Sequence, residues 1–301
     1  MSDEWLNDLE TEVNKPNTQV ATGKVEKEPN TFIEGTKTMI AVEDIPQEQV
    51  KQIAKKSVAE TSFKFEESEN FPQEVYTIYG LKGDGKTALS YSFPGTKAVL
   101  SFDRKSITTK ENMYVQDKNI KVYDAIKYLE EDPDKYIESS TRTYEWCLFL
   151  LENMIKEKPD WVIIDGLEIF TRVGEMVMRG RHGLKPFQGV MNRNVWKDRR
   201  LILRNLHKMA IDACKKGVIY TTYTQKDDVV DDGTLVSSKD VPKWTDIVME
   251  QTDAVIHVYG KQEKDGKKFF AEIVTSKNDK KMKTGRVIDI TDFKTKILEG
   301  E

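Results

Sequence analysis

The chain has little cysteine, no long apolar run and no net positive charge. Its 301 residues hold two cysteines, Cys147 and Cys214, each inside an apolar helical pattern. They read as buried thiols of a reducing compartment, which argues against a disulfide framework or a metal pair. No stretch approaches the roughly 18 apolar residues of a membrane span, so no membrane partner is expected. The first residues are acidic and lack an apolar signal-peptide core, which points to the cytoplasm, or to a host's cytoplasm if the protein is viral. A net charge of −4 with 33% charged residues describes a soluble chain without overall basic character. The balance is uneven, however. Residues 1–70 carry 15 acidic against 8 basic side chains, a net of −7, which leaves +3 on residues 71–301. A mildly basic body behind an acidic tail is compatible with a nucleic-acid partner without requiring one.

Residues 1–45 are polar, with Pro16 and Pro29, and cannot bury enough apolar surface to offset ordering, so a disordered acidic tail is expected. Within it Trp5, Leu6, Leu9 and Val13 have the spacing of a short amphipathic turn flanked by acids, which would suit docking to a partner protein. Over 46–70, Val50, Ile53, Ala54, Ser57 and Val58 predict a short helix in a linker. The body of the protein is expected over 71–301.

What organises that body is the stretch Gly80-Leu81-Lys82-Gly83-Asp84-Gly85-Lys86-Thr87-Ala88. It follows the apolar strand Val75–Tyr79, opens a helix, and fits G-x-x-x-x-G-K-[ST] at every fixed position. Glycine at 80, 83 and 85 allows positive φ and close approach of the backbone to a phosphate chain, whose oxygens the freed N–H groups would bind. Lys86 would reach the β- and γ-phosphates and the Thr87 hydroxyl would ligate Mg²⁺. Lys82 reads as a solvated charge. ATP and Mg²⁺ are therefore the expected ligands.

Strands alternate with helices from there on. Strands are expected at 98–103, 120–123, 161–165, 218–223, 254–259, 268–275 and 286–290, the last two as an antiparallel pair. Helices are expected at 141–156 and 194–216. The fold class is α/β: a doubly wound, mostly parallel sheet with a late antiparallel hairpin and a ligand at the strand C-termini. Four polar residues converge there. Asp165 closes the apolar strand Trp161–Ile164 and would hold Mg²⁺ directly or through water. Asp103 and Glu168 compete as acceptor of the proton of an attacking water. Gln225, just past the strand 218–223, would hydrogen-bond that water and the γ-phosphate and pass the nucleotide state to the loop behind it.

This arrangement resembles the RecA-like ATPases over roughly residues 72–290, a superfamily that includes the RecA and RadA recombinases, hexameric helicases and KaiC-type ATPases. The likeness is most marked for phage-encoded single-strand annealing ATPases related to RadA, because the core lacks an appended helicase domain. The resemblance implies a homo-oligomer with ATP at the subunit interface. Departures are visible. Lys105 stands where RecA recombinases place a glutamate base, and Arg104 where the KaiC-like pattern has a second glutamate. In Val274–Lys281 the Lys-x-Arg finger of the helicases keeps Lys277 but has Asp279 in place of the arginine.

RecA-like proteins place a DNA-binding loop after the strand that ends in Asp165. Here Arg172 to Arg200 carries eight basic residues, among them Arg172, Arg179, Arg181, Lys185 and Arg193, against two acidic ones. Gly174, Gly180, Gly183 and Gly189 are expected to keep the segment mobile, and His182, Phe187 and Trp196 offer stacking surfaces for a single strand. The second loop, 226–244, begins with four aspartates that would repel phosphate. The expected function is an ATP-hydrolysing protein acting on single-stranded DNA in recombination or annealing. A nucleotide-gated scaffold with weak hydrolysis and a replicative helicase or loader core are the alternatives.

Overall fold

The computed structural model describes residues 73–231, 234–293 and 298, the side chains of 229–231 and 234–236 excepted. The expected tail over 1–45 and linker helix over 46–70 lie outside these residues. Strand β1 (Glu74–Gly80) runs into a glycine turn and the short helix α1 (Lys86–Tyr91). There follow β2 (Lys97–Ser101), α2 (Lys105–Met113), β3 (Ile120–Asp124), α3 (Tyr136–Glu157), β4 (Trp161–Asp165), α4 (Leu167–Arg181) and α5 (Arg193–Ala213). The chain continues through β5 (Gly217–Asp231), β6 (Thr234–Pro242), α6 (Asp246–Gln251), β7 (Ala254–Glu263), β8 (Gly266–Ser276) and β9 (Val287–Asp289). Among the described residues no helix is long and apolar enough to cross a membrane.

The sheet order is β3-β2-β4-β5-β1-β7-β8-β9, with β6 paired to β5 alone. The six strands from β3 to β7 are parallel, and the β7–β8 and β8–β9 pairs are antiparallel. This is the doubly wound, mostly parallel sheet with late antiparallel strands that the sequence predicts. The apolar run in β4 follows from burial on both faces. Val162 and Ile164 point into a core shared with α3, α4 and α5, while Trp161 and Ile163 point into a second core with α1 and the β8–β9 end of the sheet.

Two expectations about irregular segments are corrected. The strand expected to stop at Tyr223 continues to Asp231 and folds back as β6, so residues 226–242 are largely a two-stranded ribbon instead of a loop. Residues 172–181 belong to α4. Its glycines serve packing instead of mobility: a Cβ on Gly174 would lie 2.7 Å from the Leu203 side chain, and one on Gly180 equally close to Ile137.

Candidate functional site

Strand register brings the chemistry to one edge of the sheet. Gly80 pairs with Tyr223, Thr221 with Asp165, and Asp165 with Ser101, so β1, β4 and β2 end side by side while β5 passes between β1 and β4 into the ribbon. A cleft of about 790 Å³ opens there. Its lining includes Gly83, Gly85, Lys86, Thr87, Asp103, Asp165, Glu168, Arg172, Tyr223 and Lys243. Five cations (Lys82, Lys86, Lys105, Arg172 and Lys243) face three acids in it, a balance suited to a polyanion.

The glycine turn is built as a cradle. Gly83 and Gly85 take φ of 85° and 93°, and a Cβ on Gly83 would meet nothing within 4 Å. Gly85 has both constraints, since a side chain there would also run into the Phe293 ring at 2.5 Å. Gly80 differs from expectation. Its φ is not positive; glycine is required because a Cβ would sit 2.1 Å from the Val258 carbonyl oxygen. Asp84 is buried and braces the turn, accepting the Leu81 N–H at 3.0 Å, and Lys267 approaches its other oxygen at 3.4 Å. Leu81 and Lys82 are exposed, and Ala88 packs inward.

Lys86 donates to the carbonyl oxygens of Gly80 (3.1 Å) and Leu81 (2.9 Å), with its ammonium 4.4 Å from the centre of the Tyr223 ring. Burial pulls its pKa below the ordinary lysine value, and the nearby Glu168, Asp165, Asp84 and Asp103 oppose that. Asp165 is 3% exposed and accepts hydroxyl hydrogen bonds from Thr87 (3.1 Å to each oxygen), Ser106 (2.5 Å) and Thr221. Burial pushes its pKa up, with those hydroxyls working against the shift. Thr87 and Asp165 thus face each other directly. Among the described residues no three His, Cys, Asp or Glu side chains gather as a cation cage. A hard divalent ion fits a hydroxyl and a carboxylate completed by phosphate oxygens, as Mg²⁺ is usually bound.

The two candidate bases differ in commitment. Glu168 Oε1 accepts from the Thr222 hydroxyl (2.7 Å) and the Tyr223 N–H (2.5 Å), which ties α4 to β5. Asp103 accepts at Oδ1 only the Lys105 N–H, at 3.1 Å, and lines the cleft. Gln225 does not reach the cleft. It is exposed at the base of the ribbon, opposite Val241, because β5 runs six residues beyond it. Tyr223 occupies the cleft in its place. Lys277 lies at the other end of the sheet, 3.1 Å from Asp253, whose second oxygen accepts the Val75 N–H at the start of β1. Ser106, Thr221, Tyr223 and Lys243 are site residues that sequence reasoning missed. For Thr221 and Tyr223 the signal was their place in the strand expected at 218–223; Ser106 and Lys243 had none.

The predicted nucleic-acid residues are dispersed. Arg172 lines the cleft at the strand ends. Arg179 is buried, bonded to Glu175 through Nε (3.0 Å) and Nη2 (2.8 Å) and to the carbonyls of Lys185 and Gln188. Its guanidinium is therefore committed within the fold, which corrects the expectation of a mobile basic loop. Arg181 pairs with Asp198 at 3.2 Å. Lys185 is exposed in the 182–192 connection, as are Phe187 and Met191. Arg193 opens α5, where with Trp196, Lys197, Arg199, Arg200 and the start of α6 it lines a second groove of about 210 Å³. Arg199 stacks on Trp196 at 4.8 Å. Arg193 and Lys197 form no ion pair among the described residues.

No family model and no curated protein matches the chain. Among solved structures it is similar to a KaiC-like protein of the hyperthermophilic archaeon Pyrococcus horikoshii OT3, at 12% identity over 69% of this chain and 82% of that one, with a TM-score of 0.34.

Proposed function

We propose that the chain binds ATP with magnesium at the Gly80–Thr87 turn, hydrolyses it, and acts on single-stranded DNA in recombination or annealing of the kind phage RadA-like proteins perform. The observation that carries the nucleotide reading is the conjunction of the Gly83–Gly85 cradle, Lys86 at its centre, and Thr87 facing Asp165 from two strands away. A turn that merely joined a strand to a helix would need neither the lysine nor the buried carboxylate.

In this reading the loop amides hold the phosphate chain and the Lys86 ammonium leaves its carbonyl contacts for the β- and γ-oxygens. Mg²⁺, held by Thr87 and Asp165, would supply charge neutralisation at the transferring group. Asp103 takes the proton of the attacking water, since the Glu168 oxygen facing β5 already accepts two donors. Arg172 and Lys243, on the far walls of the cleft, meet charge on the γ-phosphate. Assembly is a homo-oligomer with the nucleotide at the subunit interface, where Lys277 of one subunit would serve the site of the next. The DNA contact falls on Lys185, Phe187 and the Arg193–Trp196–Lys197 groove, where free cations and rings alternate as a single strand requires.

The test is steady-state hydrolysis with and without single-stranded DNA at low salt. The expected outcome is a several-fold rise in turnover. Turnover that DNA leaves unchanged would favour the second reading, a nucleotide-gated scaffold, which the commitment of Glu168 to β5 also suits.

A further inference from the structure

We propose that Ser106 is a positioning residue for Asp165, holding one carboxylate oxygen so that the group presents a divalent cation correctly. The proposal rests on the reading of Thr87 and Asp165 as the residues that hold that cation. Ser106 is the second residue of α2 and is fully buried. Its hydroxyl lies 2.5 Å from Asp165 Oδ2 and 2.7 Å from the Asp103 carbonyl oxygen. Its backbone is held on both sides: the N–H donates to Asp103 O at 3.0 Å, and its carbonyl accepts the Tyr91 hydroxyl at 3.2 Å.

Three hydroxyls close on Asp165, and they are not equivalent. Thr87 is the one a cation would claim. Thr221 belongs to the neighbouring strand and is placed by register, reaching Oδ1. Ser106 comes from α2, which borders the cleft through Lys105, Thr109 and Met113. A buried serine needs one acceptor for its single proton, and the Asp103 carbonyl already provides one. Asp165 Oδ2 is the nearer of the two acceptors, and a hydroxyl that donates to it serves the carboxylate. Kept on Oδ2 when a cation binds, that bond fixes the orientation of the carboxylate towards Thr87. The same hydroxyl thereby joins the cation-holding carboxylate to the backbone of the proposed base.

Hydrogen-bond partners of a metal-holding group typically contribute 10–100-fold to metal affinity. The experiment follows the thermal shift of the full chain with a saturating non-hydrolysable ATP analogue as Mg²⁺ is titrated, in the unaltered protein, Ser106→Ala and Ser106→Cys. Cysteine, somewhat larger than serine and only a weak donor, fills the space that alanine would leave, so it carries the test should alanine leave a damaging cavity. The half-point in Mg²⁺ is expected to rise about tenfold in both variants, with the shift given by the analogue in EDTA unchanged. A half-point within twofold of the unaltered protein, with only a lower melting temperature before ligand is added, would show a purely structural serine and overturn the proposal. Absence of any shift in the unaltered protein would instead overturn the nucleotide reading beneath it.

Discussion

Arg179 and Arg193 carry the same charge in the same basic segment, yet the fold gives them opposite work. The Arg179 side chain is 8% exposed, with four hydrogen bonds inside the protein, whereas Arg193 stands open at the head of α5. Replacing Arg179 by alanine is expected to cost about 2 kcal/mol of stability, because charge-assisted bonds are lost and the Gln188 carbonyl is left without its donor. Arg193→Ala with Lys197→Ala is expected to leave the melting temperature nearly unchanged. That double variant should weaken single-stranded DNA and lower the slope of log affinity against log salt by about 1.4, at roughly 0.7 per lost phosphate contact on a single strand. Thermal denaturation and binding titrations at several salt concentrations check both; an unaltered salt slope would take the DNA off this groove. The segment's net charge was legible in the sequence, but burial was not. Its helical register, Leu167, Phe170, Val173 and Val177, was legible too, and Gly174 and Gly180 obscured it by resembling mobile punctuation.

Elements with two-sided burial were the most legible. β4 spans Trp161–Asp165 as its unbroken apolar run predicts, since nothing polar interrupts a strand covered on both faces. α2 was not legible, because Lys105–Met113 has no apolar stripe and buries only Ser106. The length of β5 was a missed turn signal: Asp232-Gly233 between Val229-Val230 and Leu235-Val236 is the dipeptide pattern of a hairpin. Under the proposed function, coupling to the ribbon would fall to Tyr223, which lines the cleft where Gln225 does not. The Tyr223 ring meets Lys86, its N–H is held by Glu168, and its carbonyl accepts the Lys243 N–H at 2.8 Å, which fixes the base of the ribbon. Replacing 226–240 by a short Gly-Ser turn is therefore expected to spare basal hydrolysis and abolish its stimulation by DNA. Stimulation that survives the deletion would remove the ribbon from the coupling.

At the scale of the molecule, the parallel order was legible from alternating strands and helices, and the placement of the ligand at the strand ends followed from it. Register was not legible, yet register is what sets Thr87, Asp165, Thr221 and Tyr223 against one another across three strands that are distant in sequence. The central claim is that this edge of the sheet grips a magnesium-bound triphosphate. Thermal denaturation of the full chain with saturating ATP analogue and Mg²⁺ tests it most directly. At a ligand concentration one hundred times the Kd, binding adds about 2.7 kcal/mol, so the melting temperature should rise by roughly 5–10 °C, and the rise should vanish in Lys86→Ala. An unmoved melting temperature in the unaltered protein, or an equal rise in the variant, would contradict the account.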